Sequence, residues 1–386
     1  MASSSDKPAA PPPLLPSAVR FLRHPLSRHH HRRSPWSTRR LPLLIVLSGA
    51  AVMMLFYLLL SLAPCLVSGA CFRGWHSPYS FDANLAHHSK WMRDIPDNVN
   101  ITSLSIPGTH DTMTYHIKKF PLQCQNWNLW TQLNAGVRYL DIRARLQDNT
   151  LHIFHASEPT GYSYQDVLTT AFAFLDANPS ETIVMRLKEE GGPVGDKNFR
   201  SFQEAFNWAR FESPVTSNGS HRHLYIYNDT SLPIPSLGKL RSKIFILQNW
   251  VDHSPGSQTY GLKWEGPQMI LEDKWIIPDT AHLEDKWQAI KSALEKAKTD
   301  APDNQHIYLA HISASVGVLP IEAAAGTKNN TYPIGMNEKT SRWAEEHLIR
   351  GVRTGIVIFD FPGKKAIESI LAWNKHFKKR SIQTWA

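Results

Sequence analysis

From about residue 99 to residue 361 the chain repeats one arrangement, a short apolar run followed by an amphipathic stretch. The runs are TSLSI (102–106), VRYLDIRARL (137–146), LHIFHA (151–156), TIVMRLK (182–188), HLYIYN (223–228), KIFILQNW (243–250), MILEDKW (269–275), IYLAHIS (307–313) and GIVIFDF (355–361). Each is predicted as a strand. Helices are predicted over 163–177, 197–210, 281–298, 338–350 and 363–377. The first of these starts after Ser163 and stops before Asn178-Pro179, a capping residue and a breaker in the right places. Several runs lack the apolar/polar alternation of a half-exposed strand, which suits a parallel sheet covered on both faces. Repeated β-then-α units of this kind predict an α/β fold, a distorted (β/α) barrel, with a doubly wound sheet as the alternative.

The runs end on polar residues. TSLSI leads to His110 and Asp111, VRYL to Asp141 and Arg143, LHIF to His155, TIVMRL to Lys188, MIL to Glu272 and Asp273, and GIVIF to Asp360. In a parallel barrel the C-terminal strand ends share one rim, so these groups are expected to converge. Two histidines can divide general-base and general-acid duties near neutral pH, and each needs a carboxylate to fix its tautomer. A guanidinium suits a phosphate. The sequence holds neither a G-x-S-x-G elbow nor a Walker A loop, which turns the reading away from serine hydrolases and P-loop enzymes. Phosphodiester cleavage by acid–base catalysis is the chemistry this set suggests. Individually the residues have plainer readings: His110-Asp111 as a solvated turn, Asp360 as a helix cap, Arg143 as an ion pair with Asp141, and His311 as a satisfied core or rim histidine. Trp127, Trp130, Trp250 and Trp264 are expected in packing.

The segments SIPGTHDT (105–112), GVRYLDIRARLQDNTLHIFHA (136–156), NPSETIVMRLKEE (178–190) and GIVIFDFPGKK (355–365) together resemble the catalytic X-domain of bacterial-type phosphatidylinositol-specific phospholipase C, in the wider superfamily of PLC-like phosphodiesterases. The resemblance spans about residues 99–377 and implies a distorted TIM barrel. It implies His110 as general base toward an inositol 2-hydroxyl, with Asp360 as its partner. It implies His155 as general acid toward the diacylglycerol oxygen, with Asp111 as its partner, and Arg143 on the phosphate. Lys188 and Asp273 match positions lining the head-group pocket, and Trp275 matches an aromatic position beside them. Pro107-Gly108 is expected to end the first strand, with His110 and Asp111 pointing apart. Where animal-type members place a calcium-ligating carboxylate, this chain has Arg143, so no metal or other cofactor is expected. Two departures stand out: Ala156 replaces a glycine after the second histidine, and Gln248-Asn249 stands where a head-group-contacting arginine is expected. The alternatives kept open are a metal-dependent glycerophosphodiesterase or sphingomyelinase D-like enzyme, and a non-catalytic lipid-head-group binding module.

The N-terminal part reads differently. The net charge is +9, but residues 1–40 hold eight Lys/Arg against Asp6 and so carry most of it. The remainder has no nucleic-acid signature, and no nucleic-acid partner is expected. Residues 1–40, with PAAPPPLLP and HHHRR, read as a disordered basic tail. Residues 41–72 contain no charged side chain, and the apolar run at 41–63 is long enough to cross a bilayer. With a basic flank before it, a signal anchor with the following domain lumenal or extracellular is expected. Cleavage near Ala70 and secretion is the competing reading. Residues 64–98 form a lead-in, and 99–386 the catalytic barrel. The sequons at Asn100, Asn218, Asn228 and Asn329 all follow the apolar run, as a lumenal glycoprotein requires. Cys71 and Cys124 could pair. The expected partner is a membrane phospholipid.

Overall fold

The computed structural model describes residues 37–251, 258–328 and 333–377. Of the expected disordered tail 1–40, residues 1–36 lie outside them and 37–40 open a helix instead; the sequon at Asn329 also lies outside. Two units divide at residue 60. The helix Ser37–Ser68 carries, within the first unit, an 18-residue apolar window, Pro42–Leu59, long and apolar enough to cross a membrane. Every large apolar side chain from Leu43 to Leu59 is more than half exposed, which rules out a buried core helix.

In the second unit a small hairpin, β1 (Cys71–Phe72) with β2 (Trp75–His76), precedes the main sheet. The sheet is built from β3 (Ile106–Thr109), β4 (Tyr139–Gln147), β5 (Thr150–His155), β6 (Glu158–Ser163), β7 (Thr182–Glu189), β8 (Leu224–Tyr225), β9 (Lys243–Asn249), β10 (Leu262–Lys263), β11 (Met269–Glu272), β12 (Ile307–His311) and β13 (Ile356–Phe359). Their order is β10-β9-β7-β4-β3-β13-β12-β11, every neighbouring pair parallel. This is the curled, TIM-like half-barrel expected from the β-then-α pattern. Among the described residues no ladder joins β10 to β11, and the barrel is open there.

Side chains alternate across each strand, and the alternation sorts the core. Tyr139, Val184, Phe245, Leu247, Leu309, Ile356 and Ile358 pack in one cluster. Their sequence neighbours Leu140, Ile183, Met185, Ile244 and Ile246 pack in another, with the helix Tyr164–Ala177. Stepping by two along the first face leads from apolar residues to Asp141 and Arg143, to Arg186 and Lys188, to Asn249, to His311 and to Asp360. One face of the sheet is thus apolar at its base and charged at its C-terminal rim.

The helix Tyr164–Ala177 has the expected start: Ser163 Oγ accepts from the Asp166 N–H, and Asp166 accepts from the Ser163 N–H. Such caps contribute about 1 kcal/mol. Two local expectations are corrected. TSLSI is not the first strand. Ile101–Ser103 is a 3-10 turn, and Pro107-Gly108 lies inside β3 rather than ending it. The Pro107 carbonyl accepts from the Arg138 N–H at 2.9 Å, and Gly108 is required by packing, since a Cβ there would lie 2.7 Å from Tyr139. LHIFHA is not a parallel barrel strand. It returns antiparallel along β4, Ala144 opposite Ile153, so His155 reaches the rim from a hairpin extension.

Candidate active site

A cavity of about 360 Å³ opens at the charged rim, within the size range of small-ligand sites. His110, Arg143, His155, Lys188, Asp273, Trp275 and Asp360 all line it, so the structure brings these sequence-predicted residues together. Asp111 stands just behind the wall, buried and in contact with both histidines.

His110 leaves β3 with its backbone N–H on the Phe359 carbonyl at 3.0 Å. Its Nδ1 lies 2.9 Å from Asp360 Oδ1, and Arg143 Nη2 donates to its Nε2 at 2.6 Å. Arginine can only donate, so Nε2 carries the lone pair and Nδ1 the proton. Burial, and then the Arg143 charge, hold the His110 imidazole well below its ordinary pKa. On His155, Nδ1 lies 2.8 Å from the Leu122 carbonyl, which can only accept, so Nδ1 is again the protonated nitrogen. The two rings stand edge to face with centroids 6.3 Å apart.

Asp111 Oδ2 lies 3.3 Å from His155 Nε2 and also 3.2 Å from His110 Nε2, in neither case aligned as a hydrogen bond. The expectation that His110 and Asp111 point apart is therefore corrected. A left-handed backbone at Asp111 (φ +40°) turns the carboxylate back between the two rings. Burial raises the Asp111 carboxyl, and burial raises that of Asp360 well above the usual range.

Asp141 Oδ2 accepts from both Arg143 Nε (3.0 Å) and Nη2 (2.9 Å), while Oδ1 accepts from Arg186 Nη1 at 3.3 Å. Burial opposes ionisation of Asp141, but Arg143 and Arg186 outweigh it and hold its carboxyl well below the ordinary value. Arg143 Nε is also 3.0 Å from Asp111 Oδ1, and its Nη1 is 3.6 Å from Glu190. Lys188 pairs with Glu190 at 2.5 Å. Glu190 also accepts from the Ala156 N–H at 3.0 Å.

Three rim residues have a left-handed backbone directly after a polar group: Asp111, Ala156 (φ +52°) and Phe361 (φ +46°). Such conformations are costly without glycine and recur at functional sites. The glycine the resemblance implies after the second histidine is explained by this turn. Ala156→Gly should stabilise the protein by about 0.5–1 kcal/mol, read as a higher Tm. An unchanged or lower Tm would show that the turn stores no strain.

Sequence reasoning passed over Arg186, Glu190 and Cys124. Arg186 sits two residues before Lys188, on the same face of β7, and the period-2 rule would have found it. Its guanidinium reaches Asn249, so the rim position where an arginine is missing on β9 is served from the neighbouring strand. Cys124 is a buried free thiol in the cavity wall, its pKa pushed up by burial. Cys71 is disulfide-bonded elsewhere, so the Cys71–Cys124 pairing is not formed. His311 is buried, lowered to about 4 by desolvation, and packs 6.0 Å from both the His110 and Trp264 rings. Trp250 and Trp264 are core residues, whereas Trp130 is 43% exposed. Of the described sequons, Asn218 and Asn228 are exposed and Asn100 is half-buried.

Among the described residues, His110, Asp111 and Cys124 are the group whose potential ligand atoms lie within 4.8 Å of one another. The Arg143 guanidinium touching His110 Nε2 sets a fixed positive charge against that group.

Residues 104–250 match the sequence model of the family described as phosphatidylinositol-specific phospholipase C, X domain. The chain is 32% identical over 312 residues to the 1-phosphatidylinositol phosphodiesterase of Listeria monocytogenes, covering 78% of this chain and 89% of that protein. The chain belongs to the phosphatidylinositol-specific phospholipase C family. A 1-phosphatidylinositol phosphodiesterase of Staphylococcus aureus is 25% identical over 312 residues, covering 75% of this chain and 94% of the other. The solved structure of phosphatidylinositol-specific phospholipase C from Listeria monocytogenes superposes with a TM-score of 0.61 at 31% identity, covering 75% of this chain and all of that one.

Proposed function

We propose that this phospholipase C family member cleaves the glycerol–phosphate bond of a phosphatidylinositol-type lipid, free or as a glycosylated anchor, without a metal. The observation that carries this reading is the pair His110 and His155 on one cavity, the first with an unprotonated Nε2 that accepts from Arg143. His110 Nε2 takes the proton of the inositol 2-hydroxyl as that oxygen bonds to phosphorus. The phosphorus–glycerol oxygen bond breaks, and His155 Nε2 gives its proton to the departing oxygen. The products are a cyclic inositol phosphodiester and diacylglycerol.

Asp360 fixes the His110 tautomer through Nδ1 and balances the charge that forms on the ring. Asp111, lying between the two imidazoles, faces His155 Nε2 at 3.3 Å as the carboxylate beside the acid. Arg143 donates to the non-bridging phosphate oxygens. A phosphate arriving there competes for the N–H now held by His110 and so frees the base. Lys188, Asp273 and Trp275 line the head-group side of the cavity. On this reading the apolar helix is a single-pass anchor that keeps the barrel on the lumenal or extracellular side of a membrane, and Asn218 and Asn228 are the accessible glycan acceptors.

The test is turnover by the full chain on phosphatidylinositol vesicles in excess EDTA. Full activity is expected. Loss of activity that calcium or magnesium restores would favour the metal-dependent reading, and binding without turnover would favour a non-catalytic module.

A further inference from the structure

Arg186 is 5% exposed, yet its guanidinium lines the cavity. A buried arginine is costly unless its charge is matched and its N–H groups are bonded. The match is in place: Nη1 donates to Asp141 Oδ1 at 3.3 Å, and Nε and Nη2 both donate to Asn249 Oδ1, at 2.9 and 2.7 Å. The group is also stacked on Trp264, with Cζ 3.8 Å from a ring centroid. These contacts pin its plane, position and rotamer. A guanidinium has five N–H donors, and the three bonds leave one N–H on each terminal nitrogen without a protein acceptor among the described residues. Asp273, on the same cavity, offers a carboxylate that is only about one-third exposed, its nearest cation-forming partner being His311 at 3.7 Å. Burial holds that histidine near 4, and therefore neutral at physiological pH.

A fixed donor fork and a carboxylate acceptor lining one cavity suit a ligand whose neighbouring groups both donate and accept, which is the chemistry of vicinal hydroxyls. We infer that Arg186, pinned by Asn249 and Trp264, is a specificity-determining residue that binds ring hydroxyls of the polyol head group together with Asp273. This rests on the substrate class proposed above. Asn249 then acts as a positioning residue, its side-chain carbonyl aiming the arginine of the adjacent strand.

The test uses the full chain, with myo-inositol as a probe of binding and phosphatidylinositol micelles as substrate. Arg186→Lys keeps a cation beside Asp141 but loses the fork. It should weaken myo-inositol binding, followed by NMR saturation transfer, and raise KM about 10- to 100-fold, the range for lost hydrogen bonds to a charged group. The kcat should stay within about threefold, and Asn249→Ala should shift KM in the same direction by less. A fall in kcat with KM unchanged would show that Arg186 acts only by charge-balancing Asp141, and would overturn the inference. So would unchanged inositol binding in Arg186→Lys, or no inositol binding by the wild type. Inositol binding that Arg186→Lys weakens, without lipid turnover by the wild type, would sustain this inference and refute the proposed reaction.

Discussion

His110→Ala should lower kcat on phosphatidylinositol by about 100- to 10,000-fold, the usual contribution of a positioned general base, with the barrel still folded by circular dichroism. The size of the effect follows from the site. His110 holds its base nitrogen unprotonated, with Asp360 on the other nitrogen and an Arg143 N–H donating into the lone pair. Its imidazole lies well below the ordinary pKa because it is buried beside a cation. Protonation inactivates a base, so a lowered pKa keeps it active to lower pH. The acid limb of kcat/KM should therefore fall below the ordinary imidazole range near 6.5. An acid limb at or above that range, or a His110→Ala variant with more than a tenth of wild-type kcat, would remove His110 from the chemistry.

Arg143→Met should cost about 100- to 1,000-fold in kcat, as loss of one preorganised donor to developing charge typically does. Arg143→Lys should recover little of it, because the fork that grips Asp141 through Nε and Nη2 cannot be made by an ammonium. The Arg143→Met variant has a second readout. Removing the cation that depresses His110 should move the acid limb of kcat/KM to higher pH. An unmoved acid limb would show that the Arg143 charge does not act on the His110 base.

The strands and the set of rim residues were legible because burial on both faces leaves apolar runs, and because chemistry accumulates where those runs end. The phase within a strand was less visible. Arg186 shares a face with Lys188, yet inside TIVMRLK it reads as one polar interruption of a strand rather than as a wall of the site. The β5 hairpin was misread because an apolar run does not state its direction. Only the pairing of Ala144 with Ile153 shows that His155 arrives antiparallel. Pro107-Gly108 misled for a different reason. The pair usually marks a turn, but here Gly108 serves the close approach of Tyr139 and the strand continues through it. The relation of Asp111 to both histidines depends on one left-handed residue, which no composition or spacing announces.

The most direct measurement of the central claim is phosphorus NMR of the products when the full chain acts on phosphatidylinositol in EDTA. A five-membered cyclic inositol phosphodiester, appearing first and alongside diacylglycerol, is the result expected if His110 drives the 2-hydroxyl onto phosphorus. An acyclic inositol monophosphate without a cyclic precursor, or phosphatidic acid with free inositol, would contradict it.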